Sequence, residues 1–215
     1  MSVQEQIGFA DWLTGLGAAA PGASVKWLTA ERAAARQRVA AAPMPNRRQE
    51  TWRYTSVKGL LEHGFQSGQE TARPVQPGEL ERVLVAGLDT HRVVLVNGAF
   101  RPELSDLTAL PAGVRVRGLK ELLASEPGAL EGTLTAICGA GAHVFADLNT
   151  AALDDGLVLI LDPSVVVERP IELIHLSVGA DEARIVQPRV VISFGAGADA
   201  EVIERYLSLD QSLYC

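Results

Sequence analysis

Aromatic side chains make up only 5% of this 215-residue chain, although hydrophobic residues make up 47%. The apolar content comes from Ala, Val and Leu, which suit close-stacked strands and Ala-rich helices rather than an aromatic platform for stacking bases. Cysteine is scarcer still: Cys138 and Cys215 are too few for a disulfide framework and too far apart for a C-x-x-C metal motif. Two buried free thiols are the expected state. Positive charge is also short, since 19 Lys and Arg stand against 26 Asp and Glu. The net charge of −7 repels phosphate backbones and anionic membrane surfaces over the whole molecule. No apolar run approaches the roughly 20 residues of a membrane span, and no basic segment leads into an apolar one at the N-terminus. No nucleic acid and no membrane partner is expected, and the location expected is cytoplasmic.

From Ala142 to Leu209 the chain is a succession of short Val-, Ile- and Leu-rich segments: H-V-F-A-D-L-N-T, G-L-V-L-I-L, P-I-E-L-I-H-L-S-V, A-R-I-V-Q-P-R-V-V-I-S-F and A-E-V-I-E-R-Y-L-S-L. Each closes on Gly, Pro, Asp or Asn, so the pattern predicts successive strands with no helix between them. Strands joined by short corners bury apolar side chains inside and leave polar ones outside, which predicts an extended sheet or a solenoid. Pro163, Pro170 and Pro188 fall at the edges of these runs, where a corner tolerates the missing N–H.

Ahead of the strands, residues 3 to 16 and a segment beginning near Ser24 both carry helical apolar spacing, the second stopped by Pro43 and Pro45. The run Pro45 to Val57 sets Trp52 and Tyr54 among charged residues, and two roles suit it: a partner-docking surface, or a pin holding the helical region to the body. V-K-G-L-L-E, from Val57, predicts one or two helical turns. Residues 1–65 are thus expected to form an N-terminal helical domain and 66–78, with Gly68, Pro74, Pro77 and Gly78, a linker. Residues 79–137 are expected to form a small α/β connecting region, with strands at His91 to Val96 and at 114 to 117. It also holds a hairpin at Asn97-Gly98, a helix at Leu119 and a helix from Ala129 to Ile137. The solenoid strands then occupy 138–215.

Candidate chemistry is sparse. Gly139-Ala-Gly141 and Gly195-Ala-Gly197 invite a nucleotide-loop reading, but Val144 and Ala200 stand where a third glycine is needed, so tight corners are expected. Asp147, Asp154 and Asp155 resemble the paired carboxylates of polysaccharide-cleaving enzymes, yet Asp154-Asp155-Gly156 is also turn composition. His63, His91, His143 and His175 are scattered without H-E-x-x-H spacing, and no nucleophile elbow is present. His143, five residues from Cys138, could lend a ligand to a metal shared at an interface, against the plainer reading of a buried corner thiol and a surface histidine. No residue is therefore assigned as catalytic, cofactor-binding or metal-ligating.

Four stretches together suggest a family: Arg48-Gln-Glu50-Thr-Trp52-Arg-Tyr54-Thr55, F-A-D-L-N-T-A-A-L-D-D-G from Phe145, R-P-I-E-L-I-H-L from Arg169 and V-I-E-R-Y-L-S-L from Val202. In this combination and order the chain resembles the SufB/SufD family of the Suf iron–sulfur cluster assembly system, its SufD members in particular, from about Pro43 onward. The resemblance implies an α+β chain, an N-terminal helical domain followed by a right-handed parallel β-helix. It implies a non-catalytic scaffold working with SufB and the ATPase SufC in iron supply and cluster formation. No cofactor is implied for this chain alone, an iron–sulfur cluster being expected only at an interface shared with SufB. Family members continue well past Cys215, so the chain resembles the front half of one, and an open solenoid edge invites a homodimer by strand pairing. The rival readings are a β-helix carbohydrate-active enzyme and a structural oligomerisation module.

Overall fold

A computed structural model describes residues 21–43, 45–57, 66–67, 73–136, 143–179 and 184–210. The helices are α1 (Lys26–Ala41), α2 (Pro77–Glu81), α3 (Leu119–Ser125), α4 (Thr133–Ala136) and α5 (Val144–Ala152). The first six strands are β1 (Gln66–Ser67), β2 (His91–Val96), β3 (Ala99–Phe100), β4 (Val114–Gly118), β5 (Gly156–Leu161) and β6 (Val166–Ser177). Three more follow, β7 (Arg184–Ile185), β8 (Arg189–Phe194) and β9 (Asp199–Ser208). The chain is α+β with mixed sheets. The expected helices at 3 to 16 and after Val57, and residues His63, Cys138, Gly139, Gly141 and Cys215, lie outside the described residues.

Two sheets carry the fold, one ordered β3-β2-β6-β9 and the other β4-β5-β8. Within them β2, β6 and β9 run parallel, as do β5 and β8, while β3 and β4 pair antiparallel to their neighbours. The chain passes from β5 to β6 through a short corner and again from β8 to β9, so the sheets grow together, one strand each per pass. Gly156 aligns with Arg189 and Val166 with Asp199, and the two passes are therefore in register at both ends. The first strands of both sheets are covered by antiparallel strands β3 and β4; among the described residues β8 and β9 have no outer neighbour.

Strands β2 and β5 and the second half of β6 read as nearly unbroken apolar runs because they are buried on both faces. Val93, Leu95, Leu157, Leu159, Leu161, Ile171 and Leu173 fill the space between the sheets. Alternate residues Val158 and Val191 turn outward and meet Leu28, Leu119, Leu122, Leu123 and Leu153 of the helical layer. On the far side, Val94, Val96, Ile174 and Leu176 pack on Leu80. Helix α1 buries Leu28, Arg32, Ala35 and Val39 along one face and ends at Ala41, followed by Ala42, whose extended backbone is what Pro43 requires.

Several strand and helix expectations hold: β2, β4, α3 and the Asn97-Gly98 hairpin, where both residues take positive φ (48° and 80°). Others are corrected. H-V-F-A-D-L-N-T is not a strand but the start of helix α5, capped by the His143 side chain accepting from the Phe145 amide and carrying the strong helix formers Ala146, Leu148, Ala151 and Ala152. Pro170 lies inside β6, where the pairing with β9 shifts register between Val167 and Ile171; a bulge spares the proline a ladder bond. The run ending at Phe194 is two strands, divided ahead of Pro188. The helix expected over 129–137 is a 3-10 turn at Pro127–Leu130 followed by α4. In the 66–78 stretch β1 pairs in parallel with β7, and α2 begins at Pro77.

Candidate functional site

The two most distinctive motifs meet each other. A 3-10 turn at Glu50–Trp52 carries the Trp52 indole onto the rings of His143 and Phe145, at centroid distances of 5.1 and 5.6 Å, where α5 begins. Tyr54 does not join them; it is 87% exposed, with the Arg53 guanidinium 5.7 Å from its ring centroid. Trp52 is thus the pin and Tyr54 the free surface. Arg47, Arg48, Glu50 and Arg53 are exposed around it.

The rest of α5 is fastened by polar side chains. Arg38 of α1 donates to Asp147 at 2.7 Å, in the first turn of α5, where the helix dipole also favours a carboxylate. Arg189, buried at the start of β8, donates to Asn149 at 2.8 Å, to the Leu134 carbonyl at 2.8 Å and to Thr150 at 3.0 Å. Asn149 in turn donates to the Pro188 carbonyl at 2.8 Å. Helix α5 is therefore a keystone between α1 and the second pass of the stack.

Of the carboxylates considered for acid–base work, Asp147 is paired with Arg38, and Asp155 accepts from the Lys120 and Gly156 amides at 3.0 and 2.8 Å. Burial pushes the carboxyls of Asp154 and Asp155 above the ordinary range, and the two amide bonds pull Asp155 part of the way back. Asp147 thus holds a helix and Asp155 caps backbone, so neither carboxylate is held free for acid–base work. Gly195 and Gly197 form the corner between β8 and β9, with Gly197 at φ +70°. His91 is buried beside Arg169, and burial, then that guanidinium, lowers its pKa. Among the described residues no group of three or more His, Cys, Asp or Glu could hold a metal ion, and no helix is long and apolar enough to cross a membrane.

The other two motifs form neighbouring strands. Glu172 of β6, buried on the outer side of its sheet, accepts from Arg205 of β9 at 2.6 Å and from Thr90 at 2.9 Å. His175 stacks on Tyr206 with centroids 4.6 Å apart, and Glu204 meets both. Exposed Phe194 and Tyr206 lie on β8 and β9, the last strands of the two sheets. Arg38, Arg189 and Arg205 are not legible as structural residues in sequence, because each acts on a group far away along the chain. Only Arg189, directly ahead of V-V-I, gives a signal by standing against an apolar run.

A family model described as the SufBD protein N-terminal region matches residues 18–173. An iron–sulfur cluster assembly SufBD family protein of Synechocystis is 28% identical over 163 residues, covering 76% of this chain and 35% of that protein. The iron–sulfur cluster assembly protein SufD of Escherichia coli K12 is 27% identical over 171 residues, covering 79% of this chain and 37% of its own length. The chain spans about a third of the length of these curated relatives.

Proposed function

This chain belongs to the SufBD family, and on that premise we propose that it is a non-catalytic scaffold component of a SufBCD complex in iron–sulfur cluster assembly. The observation that carries the proposal is the family match over residues 18–173, a span that contains both the Trp52 motif and the α5 motif it packs against. Its partners are SufB and the ATPase SufC, which supplies the ATP chemistry. The cluster is cargo formed at a surface shared with SufB, in the cytoplasm. The parallel passes β5–β6 and β8–β9 support reading the stack as the opening turns of a β-helix, and parallel crossovers of this kind are right-handed in about 98% of cases. Among the described residues the outer edges of β8 and β9 are unpaired, which suits strand pairing with another subunit there.

Anaerobic co-purification tests this. The tagged product of the whole reading frame is expected to retain SufB and SufC through a salt wash. Failure to retain either, in a preparation where SufB and SufC still hold each other, overturns the assignment.

A further inference from the structure

Three donors of different chemistry meet at the open end of the stack: the imidazole of His175 on β6, and the carboxylate and phenol of Glu204 and Tyr206 on β9. Their columns are unexpected places for polar groups. Parallel pairing aligns Val93, Leu173 and Glu204 in one column and Leu95, His175 and Tyr206 in the next. Both columns project between the two sheets, where Val93, Leu95 and Leu173 are core residues. The first strand is apolar at these sites and the last is polar. One oxygen, Glu204 Oε1, lies 2.8 Å from His175 Nε2 and 2.9 Å from Tyr206 Oη. The His175 side chain is only 13% exposed and Tyr206 is 72% exposed, so the cluster is anchored on one side and open on the other.

We propose that His175, Glu204 and Tyr206 form a three-donor site for one divalent transition-metal cation of borderline softness. One imidazole with carboxylate and phenol oxygens is the mixed nitrogen–oxygen set such ions take. The two separations from Glu204, 2.8 and 2.9 Å, also fit: an octahedral ion with bonds of about 2.1 Å sets neighbouring donors roughly 3.0 Å apart. On binding, the imidazole carries its proton on Nδ1 and presents the Nε2 lone pair, Glu204 coordinates instead of accepting two hydrogen bonds, and Tyr206 turns an oxygen lone pair inward. Solvent fills the positions on the open side. Linear spacing does not disclose such a site, because register, not sequence proximity, joins β6 to β9.

The test is titration of the full chain, stripped with a chelator and carrying serine at both cysteine positions, with Zn(II) alone by calorimetry and Co(II) alone by visible absorption. One equivalent is expected to bind. His175→Gln and Glu204→Gln should each weaken binding at least about tenfold, and Tyr206→Phe should shift the Co(II) spectrum. Circular dichroism and the metal-free melting temperature keep unfolding apart from ligand loss, and Tyr206, largely exposed, is the change least able to disturb folding. No saturable binding, or binding that His175→Gln and Glu204→Gln leave unchanged, overturns the proposal.

Discussion

The Trp52 indole rests on the His143 imidazole at a centroid distance of 5.1 Å, so a turn in the N-terminal part of the chain is held by the residue that caps α5. Phe145 closes the group at 5.6 Å from each of the other two rings. Aromatic pairs contribute about 0.5–1.5 kcal/mol each beyond area burial. Trp52→Ala is expected to lower stability by about 2 kcal/mol and to speed amide exchange across 45–57, with Trp52→Phe intermediate. Tyr54→Ala should stay within about 0.5 kcal/mol of wild type, since its ring is solvated. Equal losses at the two positions in chemical denaturation would contradict this division of roles.

Arg189 serves three acceptors on two different segments, so its removal strands all of them in a buried place. Each unsatisfied buried group costs about 1–3 kcal/mol. Arg189→Ala should therefore cost about 3 kcal/mol or more, and Arg189→Lys most of that, because an ammonium cannot reproduce the guanidinium fork. The denaturation midpoint should fall at unchanged slope. A lysine variant as stable as the parent would show that the fork is not what holds α5.

What can be read in the sequence follows from range. Strands β2, β5 and β9 declare themselves through local composition, and the hairpin through Asn97-Gly98, because those preferences act over a few residues. Helix α5 escapes such a reading since the stretch between Gly141 and Asp154-Asp155-Gly156 is short and has strand-like punctuation. What decides for a helix is the local His143 cap together with the ties from Arg38 and Arg189, and those ties only tertiary structure supplies. Likewise the pairing of His175 with Glu204 and Tyr206 depends on a register set by the bulge at Pro170. The family motifs are visible as strings; that they touch in pairs is not.

Two buried groups give stability opposite slopes with pH. Asp155 has its carboxyl raised by burial, so the folded state favours the protonated form; that stability is present below the ordinary carboxylate value of about 3.9 and is lost as pH rises through the folded value. His91 is lowered, so its contribution is present above about 6.5 and is lost as pH falls toward its folded value. Asp155→Asn keeps the oxygen that accepts from Lys120 and Gly156 while removing the charge, and should equal or exceed wild type at pH 7. Asp155→Ala loses the acceptor and should cost about 2 kcal/mol. A proton NMR titration should place His91 below the ordinary histidine value. If Asp155→Asn is as destabilising as Asp155→Ala, the ionised carboxylate is needed and the slope has the opposite sign.

The approach of β5 to β8 offers the sharpest test of the stack itself. Gly156 sits at φ +150° opposite Arg189, and a Cβ there would lie 1.9 Å from the Arg189 carbonyl oxygen, which no rotamer relieves because the clash is with backbone. Gly156→Ala must either push the two strands apart or twist the backbone at Asp155, undoing the two amide bonds that cap α3 and start β5. The expected loss is more than about 3 kcal/mol. Gly78 is the matched control: it lies in α2, where an added Cβ would meet no atom within 4 Å, so Gly78→Ala should gain about 0.5–1 kcal/mol from reduced chain entropy. If urea denaturation finds both changes mild, the strands do not approach this closely, and the register that aligns Gly156 with Arg189, and with it the second pass of the stack, is not the native one.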